Sequence, residues 1–228
     1  MNSEGGQPQM PVVNVFEQYA QEYDEWFDGH KSVYEAELAA LRKLVPATGL
    51  GIEVGVGTGR FAVPLGIRYG IDPSGRMLEI ARQHGLQVCQ AVGEQLPFRD
   101  GQFDLVLLVT VICFVDDVPA LLRELNRVLK RGGRLVIGFV NRNSELGRLY
   151  EQRKGTSPFY REARFYSVED VVKWVEQAGF DSLQFCQTLF GLSSEHVPKI
   201  LEIREGYSDG AFVVLSARRV EQARGEKP

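Results

Sequence analysis

The residues with the clearest capacity for chemistry lie in GIEVGVGTGRF, where glycines at 55, 57 and 59 directly follow a short apolar strand and precede a helix. Glycine lacks a Cβ, so such a loop turns tightly and lets a ligand lie against the main chain, while the helix start offers unpaired N–H donors. The spacing is GxGxG, with Arg60 standing where a dinucleotide fingerprint needs its third glycine. No GK[ST] follows, which excludes a Walker phosphate loop. Glu53, two residues ahead of the first glycine, repels a pyrophosphate and attracts a cationic amino group, so the loop suits a zwitterion or cation. Asp72, in YGIDPS, falls at the carboxyl end of the next predicted strand, where its two oxygens can accept both hydroxyls of a ribose. A bare loop and one acid thus mark a site for an adenosine.

Those residues need a sheet to place them. From Leu50 onward, short apolar runs alternate with helical periods, which is the pattern of βαβ units and a parallel sheet. The runs predict strands near 50–55, 67–72, 87–91, 104–110, 134–139, 181–186 and 211–216. Ser74 is placed to cap a helix that stops at Gly85, and Asp117 with Pro119 to start one stopped by Gly132-Gly133. Ser167 with Asp170 reads as a capping box for a helix ending at Gly179. Ahead of the first strand, Val15, Phe16, Tyr19 and Tyr23, then Tyr34, Leu38, Leu41 and Val45, recur at helical spacing, which predicts two helices closed by Pro46. The expected organisation is a single domain over 12–218, with a helical cap at 12–46 and loose polar tails at 1–11 and 219–228. Segments 141–166 and 187–210 interrupt the alternation and read as insertions.

In order and spacing, EVGVGTGRF, GIDPSGRML, GEQLPF, FDLVLLV, LLRELNRVLKRGGRLVIG and FYSVEDVVKWVEQAGF, together with FEQYAQEYDEWF near the start, resemble the class I S-adenosylmethionine-dependent methyltransferases. The likeness is to the small-molecule group that includes the ubiquinone and menaquinone biosynthesis enzymes, and it covers about residues 14–186. It implies an α/β, Rossmann-like, seven-stranded and mostly parallel sheet with an antiparallel last strand and helices on both faces. It implies S-adenosyl-L-methionine as cofactor, with S-adenosyl-L-homocysteine as product. Carried over position by position, it puts the methionine part over Glu53, Gly55, Val56, Gly57 and Gly59 and the ribose on Asp72. Pro73 and Met77 would pack on the adenine, Gly93 and Glu94 meet its edge, and Val109 and Thr110 floor the pocket. Tyr19 and Tyr23 match segments that close over the cofactor. The chain departs from the family in two places. Only 13 residues run from Gly59 to Asp72, which cuts the first helix to about two turns with Pro64 near its end. Val92 stands where the family often has an aspartate, so backbone contacts must carry more of the adenine recognition.

Methyl transfer from a sulfonium is an in-line displacement in which orientation supplies much of the effect, so no catalytic side chain is obligatory. Cys113, His196, Tyr160, Glu205, Tyr207 and Asp209 are the candidates near the expected mouth, whereas His30 and His84 lie outside it. Cys113 has apolar neighbours and reads better as a core residue, and His196 better as a loop histidine. The N-terminal helices and both insertions should emerge at the ligand-bearing edge as a lid, with Phe159, Tyr160, Phe165, Phe190 and Tyr207 enclosing a small, partly apolar acceptor.

The chain's 228 residues carry 26 basic against 30 acidic side chains, a net charge of −4 that disfavours a nucleic-acid partner. Three widely spaced cysteines, Cys89, Cys113 and Cys186, show neither a disulfide framework nor a metal-ligand pattern. The longest apolar run, Leu105 to Val115, has 11 residues, too few for a membrane span. A cytoplasmic monomer or homodimer with a small-molecule substrate, no nucleic acid and no membrane partner is expected. Two alternatives remain: a non-catalytic subunit or sensor that binds the same cofactor, and an NAD(P)-dependent oxidoreductase, which Arg60 and Glu53 disfavour.

Overall fold

The computed structural model describes residues 11–191 and 202–220. Its centre is a sheet of eight strands in the order β3-β2-β1-β4-β5-β8-β6-β7. They are β1 (Gly51–Val54), β2 (Tyr69–Asp72), β3 (Gln87–Gln90), β4 (Phe103–Val109), β5 (Leu129–Val140), β6 (Phe180–Thr188), β7 (Arg204–Glu205) and β8 (Phe212–Arg219). The first five pair in parallel, and β8 runs antiparallel between β5 and β6. The expected architecture is therefore present, with one addition: β7, a two-residue strand inside 187–210, raises seven strands to eight.

The register explains where ligands must bind. β1 lies between β2 and β4, pairing Val54 with Ile71 and Glu53 with Leu107. The chain leaves β1 toward one side and returns on the other, so a crevice opens above its carboxyl end. On one face of the sheet, Val54 and Ile71 share a core with Leu121 and Leu125 of α5 (Val118–Val128) and Val171 of α7 (Val168–Gln177). On the other face, Val56, Phe61, Leu78 and Leu107 pack with Phe27 and Leu41 under α2 (Ala20–Gly29), α3 (Lys31–Leu44) and α4 (Gly75–Gln83).

The punctuation read from sequence holds at most helix ends. Ser74 Oγ accepts the Met77 N–H, Asp117 Oδ1 accepts that of Ala120, and Ser167 and Asp170 form the reciprocal capping box. Three expectations are corrected. The N-terminal segment forms three helices rather than two, because α1 (Pro11–Gln18) breaks from α2 at Tyr19, and α2 from α3 at His30. The stretch between β1 and β2 holds no α-helix, only a short 3-10 turn at Val63–Leu65 that contains Pro64 and is closed by Gly66 in the left-handed region. With so few residues to span the crossover and a proline that cannot donate, the chain has no room for a regular helix. Finally, Gly132 and Gly133 do not stop α5: the helix ends at Val128, and the glycines sit in a bulge of β5 where pairing jumps from Phe103–Leu129 to Leu105–Arg134.

Candidate active site

The three loop glycines are needed for different reasons. All have positive φ: 71° at Gly55, 52° at Gly57 and 88° at Gly59. A Cβ on Gly55 would stand 2.3 Å from Val111 Cγ2, and one on Gly59 2.5 Å from Leu86 Cδ1, so these positions are bare because protein packs against them. Gly57 is different. Its nearest neighbour would be Tyr23 Cε1 at 3.6 Å, which leaves main chain open toward a cavity. The Val56 N–H donates to Ile71 O at 2.8 Å and the Gly57 N–H to Asp72 Oδ2 at 3.0 Å, so β2 holds the loop in shape. The other Asp72 oxygen accepts the Ser74 N–H at 2.9 Å. Each carboxylate oxygen keeps a further lone pair, so Asp72 can still accept two hydroxyls.

The electrostatics favour a positively charged guest. Asp72 is 8% exposed, and burial pushes its carboxyl up to about 6 against the pull of the Ser74 and Gly57 N–H groups, with Glu17 raising it further. Glu53 is 1% exposed and lies well above the usual carboxylate range, mainly through burial; the Ala62 N–H opposes this and the Asp72 charge adds to it. Its Oε2 is an orphaned buried acceptor. Arg60, the loop's own cation, does not relieve them: its Nη2 lies 2.5 Å from Asp24 Oδ2 and its Nη1 3.0 Å from Asp28 Oδ1, both on α2. Two buried acids with no cation acting on them among the described residues suit a sulfonium with an amino group and oppose a pyrophosphate.

The cavity over Gly55 and Gly57 measures about 810 Å³ including its open mouth. Of the residues assigned to the cofactor from sequence, Gly55, Gly57, Asp72, Pro73, Met77, Gly93, Glu94, Val109 and Thr110 line it. Tyr19, Glu53, Val56 and Gly59 do not. The break between α1 and α2 sends Tyr19 against Phe159, at 6.1 Å between ring centroids, and Tyr23 takes the place over the loop. Glu53, in β1, and Val56, in the loop itself, are buried, and Gly59 packs on Leu86. Glu94 Oε1 accepts the Asp116 N–H at 3.3 Å, tying together the loops after β3 and β4. Thr110, at the end of β4, has φ of 55°, a strained conformation for a β-branched residue. Sequence reasoning missed Val13, Phe16, Ser74, Val111 and Phe114 in this wall, and Val92 lines it at the adenine position where the family often has an aspartate. Phe16 was legible as apolar but not as roof, since only the packing of α1 on α4 shows which way it faces. That packing is fixed by Glu17, whose Oε2 accepts from Ser74 Oγ at 2.7 Å and from the Arg76 N–H at 3.3 Å.

A second cavity adjoins the first and shares Phe16, Tyr23, Thr110 and Phe114 with it. It measures about 1230 Å³ including its mouth. Its wall takes Trp26 and Phe27 from α2, Glu37 from α3, and Tyr150, Phe159, Tyr160, Phe165 and Tyr166 from the 141–166 segment, where α6 (Glu145–Arg153) lies. Cys113 lines it, but its thiol donates to Thr110 O at 3.3 Å and burial pushes it up to about 12, so it is no thiolate. Tyr160 stacks on Tyr150 with centroids 4.6 Å apart, and burial holds its hydroxyl far above the usual range. His30 stacks on Trp26, and His84 Nδ1 lies 2.8 Å from Thr58 O; neither lines either of these two cavities. The hairpin residues are placed otherwise than expected. Phe190 lies under Arg204 and Tyr207 against Phe185, while Glu205 pairs in β7 and Asp209 with Arg204, and none of the four lines either cavity. His196 falls outside the described residues. Among the described residues no group of acids, histidines and cysteines is arranged to hold a metal, and no helix is long and apolar enough to cross a membrane.

A glycine loop and an acid at adjacent strand ends, beneath a helical roof, define a nucleotide-type cofactor site on a Rossmann-like sheet. Comparison with known proteins specifies which. Residues 52–137 match the methyltransferase domain family. An uncharacterized protein of Methanocaldococcus jannaschii is 43% identical over 208 residues, covering 91% of this chain and 100% of that one. A solved S-adenosylmethionine-dependent methyltransferase of Thermotoga maritima, described as a possible histamine N-methyltransferase, is 48% identical with a TM-score of 0.86, covering 90% of this chain and 99% of that one. The demethylmenaquinone methyltransferase of Lactococcus lactis is 26% identical over 228 residues, covering 91% of this chain and 84% of its own length. The chain belongs to the class I S-adenosylmethionine-dependent methyltransferases, and S-adenosylmethionine is its cofactor.

Proposed function

We propose that this enzyme moves the methyl group to a small-molecule nucleophile seated in the second cavity. The observation that carries the reading is the shared wall: Phe16, Tyr23, Thr110 and Phe114 border both cavities, so a cofactor over Gly57 and an acceptor beside Tyr150 would meet there. The bound cofactor supplies an electrophilic methyl on a positively charged sulfur, open to in-line displacement. The chain's own part is binding and orientation. Gly55 and Gly57 present bare main chain, Asp72 accepts the ribose hydroxyls, and Pro73, Met77 and Gly93 take the adenine. Glu53, buried and held well above the usual carboxylate range, sits at the strand end ahead of the loop with its Oε2 an unpaired acceptor, and Thr110 holds the floor where the cavities join. Aromatic side chains from α1, α2 and 141–166 exclude water around the acceptor.

Incubation with cofactor labelled in its methyl group and a metabolite extract tests this. Label in a low-molecular-weight product is the expected result, and label only in protein or nucleic acid would refute it. Tight cofactor binding with no transfer to any fraction would favour the sensor reading instead.

A further inference from the structure

Glu37 lies in the middle of α3, is 7% exposed and lines the second cavity, yet among the described residues nothing donates a hydrogen bond to it or pairs with it. A buried carboxylate in an apolar wall is costly unless something compensates it. The surroundings do not: the other charged residue in that wall is Glu22, and no described lysine, arginine or histidine lines it. Most of the rest is aromatic, with Tyr23, Trp26, Tyr150 and Tyr166 among the rings. An acceptor bearing a carboxylate or phosphate would meet two acids and no cation. A neutral alcohol or thiol would leave Glu37 as it stands.

We propose that the methyl acceptor carries a basic nitrogen which seats against Glu37, so that the cavity selects amines over acids and neutral alcohols. An ammonium there gains the carboxylate as counter-ion and the ring faces as cation–π partners. The inference rests on the second cavity being the acceptor's seat. Tyr23 supports that placement, since its hydroxyl feels the charges of Asp72, Glu37 and Glu53 together and so stands between the cofactor loop and Glu37. Glu37 is a positioning residue in this scheme. Burial pushes its carboxyl up to about 8; Tyr23 and Tyr150 feel its charge, and the other titratable side chains of that wall are Glu22, Cys113, Tyr160 and Tyr166, none cationic, with Lys154 acting on Cys113 from outside the wall. An arriving ammonium holds Glu37 ionised, so its binding near neutral pH releases a proton.

Calorimetric titration of the full chain with 2-phenylethylamine, 2-phenylethanol and 3-phenylpropanoate, with and without S-adenosylhomocysteine, tests the assignment. The amine should bind at least ~10-fold more tightly than the other two and release protons, seen as heats that vary with the buffer's ionisation enthalpy. Glu37→Gln should abolish the proton release and most of the preference while leaving the alcohol's affinity unchanged. An amine that binds no better than the alcohol in the wild-type protein, including one with no detectable binding, overturns the proposal, as does a preference that survives in Glu37→Gln. Failure of S-adenosylhomocysteine to bind would count against the cofactor site instead, and the selectivity is still read from the titrations without it.

Discussion

Glu37→Gln should make the folded protein more stable, by an amount that depends on pH in a predictable way. The carboxyl titrates near 4.5 when exposed and is pushed up to about 8 in the fold by burial. Below pH about 4.5 it is protonated in both states and contributes nothing that varies. As pH rises, the unfolded chain ionises first while the fold keeps its proton, so wild-type stability falls by about 1.4 kcal/mol per unit until the folded group also ionises near 8. The accumulated loss is about 4 kcal/mol at pH 8 and about 3 kcal/mol at pH 7, a large part of a domain's usual 5–15 kcal/mol. Glutamine keeps the shape but cannot ionise. Because every other group titrates alike in both proteins, the difference between their stabilities isolates this one side chain. Urea unfolding of both at half-unit steps from pH 5 to 9 measures it. A gap that widens from near zero to several kcal/mol is expected; a gap flat across that range, or a wild-type protein more stable at pH 8, would show that the carboxylate is hydrated or paired.

Asp72→Ala removes the proposed ribose acceptor and frees the Gly57 and Ser74 N–H groups, and should weaken S-adenosylhomocysteine binding by about 1–3 kcal/mol; unchanged affinity by calorimetry would defeat the assignment. Since Asp72 is pushed up to about 6 and its ionised form is the better acceptor, wild-type affinity should hold from pH 8 to about 6.5 and fall below 6, and an affinity constant down to pH 5 would contradict this. Gly57→Val should cost more affinity than Asp72→Ala, because the branched side chain enters open cavity and the left-handed φ of 52° disfavours it; equilibrium dialysis beside a thermal melt separates lost binding from lost folding.

What could be read from sequence was what local chemistry determines. The glycine loop, Asp72 and the caps at Ser74, Asp117 and Ser167 need only a few neighbouring residues to declare themselves, and the structure has each at the expected element end. Long-range packing decided the rest. Tyr19 and Tyr23 are equivalent in a continuous helix, and with the break at Tyr19 both lie beside Phe159 while Tyr23 alone of the two lines the cavities. Phe190 and Tyr207 look like lid residues by composition but turn to Arg204 and Phe185 instead. Glu37 left a signal that went unused. It falls three residues after Tyr34 and four before Leu41, a charge on the apolar stripe of its helix, and a charge in that position asks for a burial partner or a ligand.

The missing helix between β1 and β2 has a further consequence. Without it, one side of the sheet would be left bare there, and the N-terminal segment fills the gap: Phe27 and Tyr34 lie edge-on to Phe61 at 5.7 and 5.5 Å, and the Tyr34 hydroxyl donates to Arg60 O. That segment is thus masonry as well as door. A chain trimmed to begin at residue 47 should fail to fold, giving an insoluble product or lost near-ultraviolet dichroism, whereas trimming only through α1 should leave a folded body with an uncovered crevice. If the shorter chain instead melted cooperatively like the whole, the N-terminal helices would be ornament to the scaffold, and the economy in the first crossover would need another explanation.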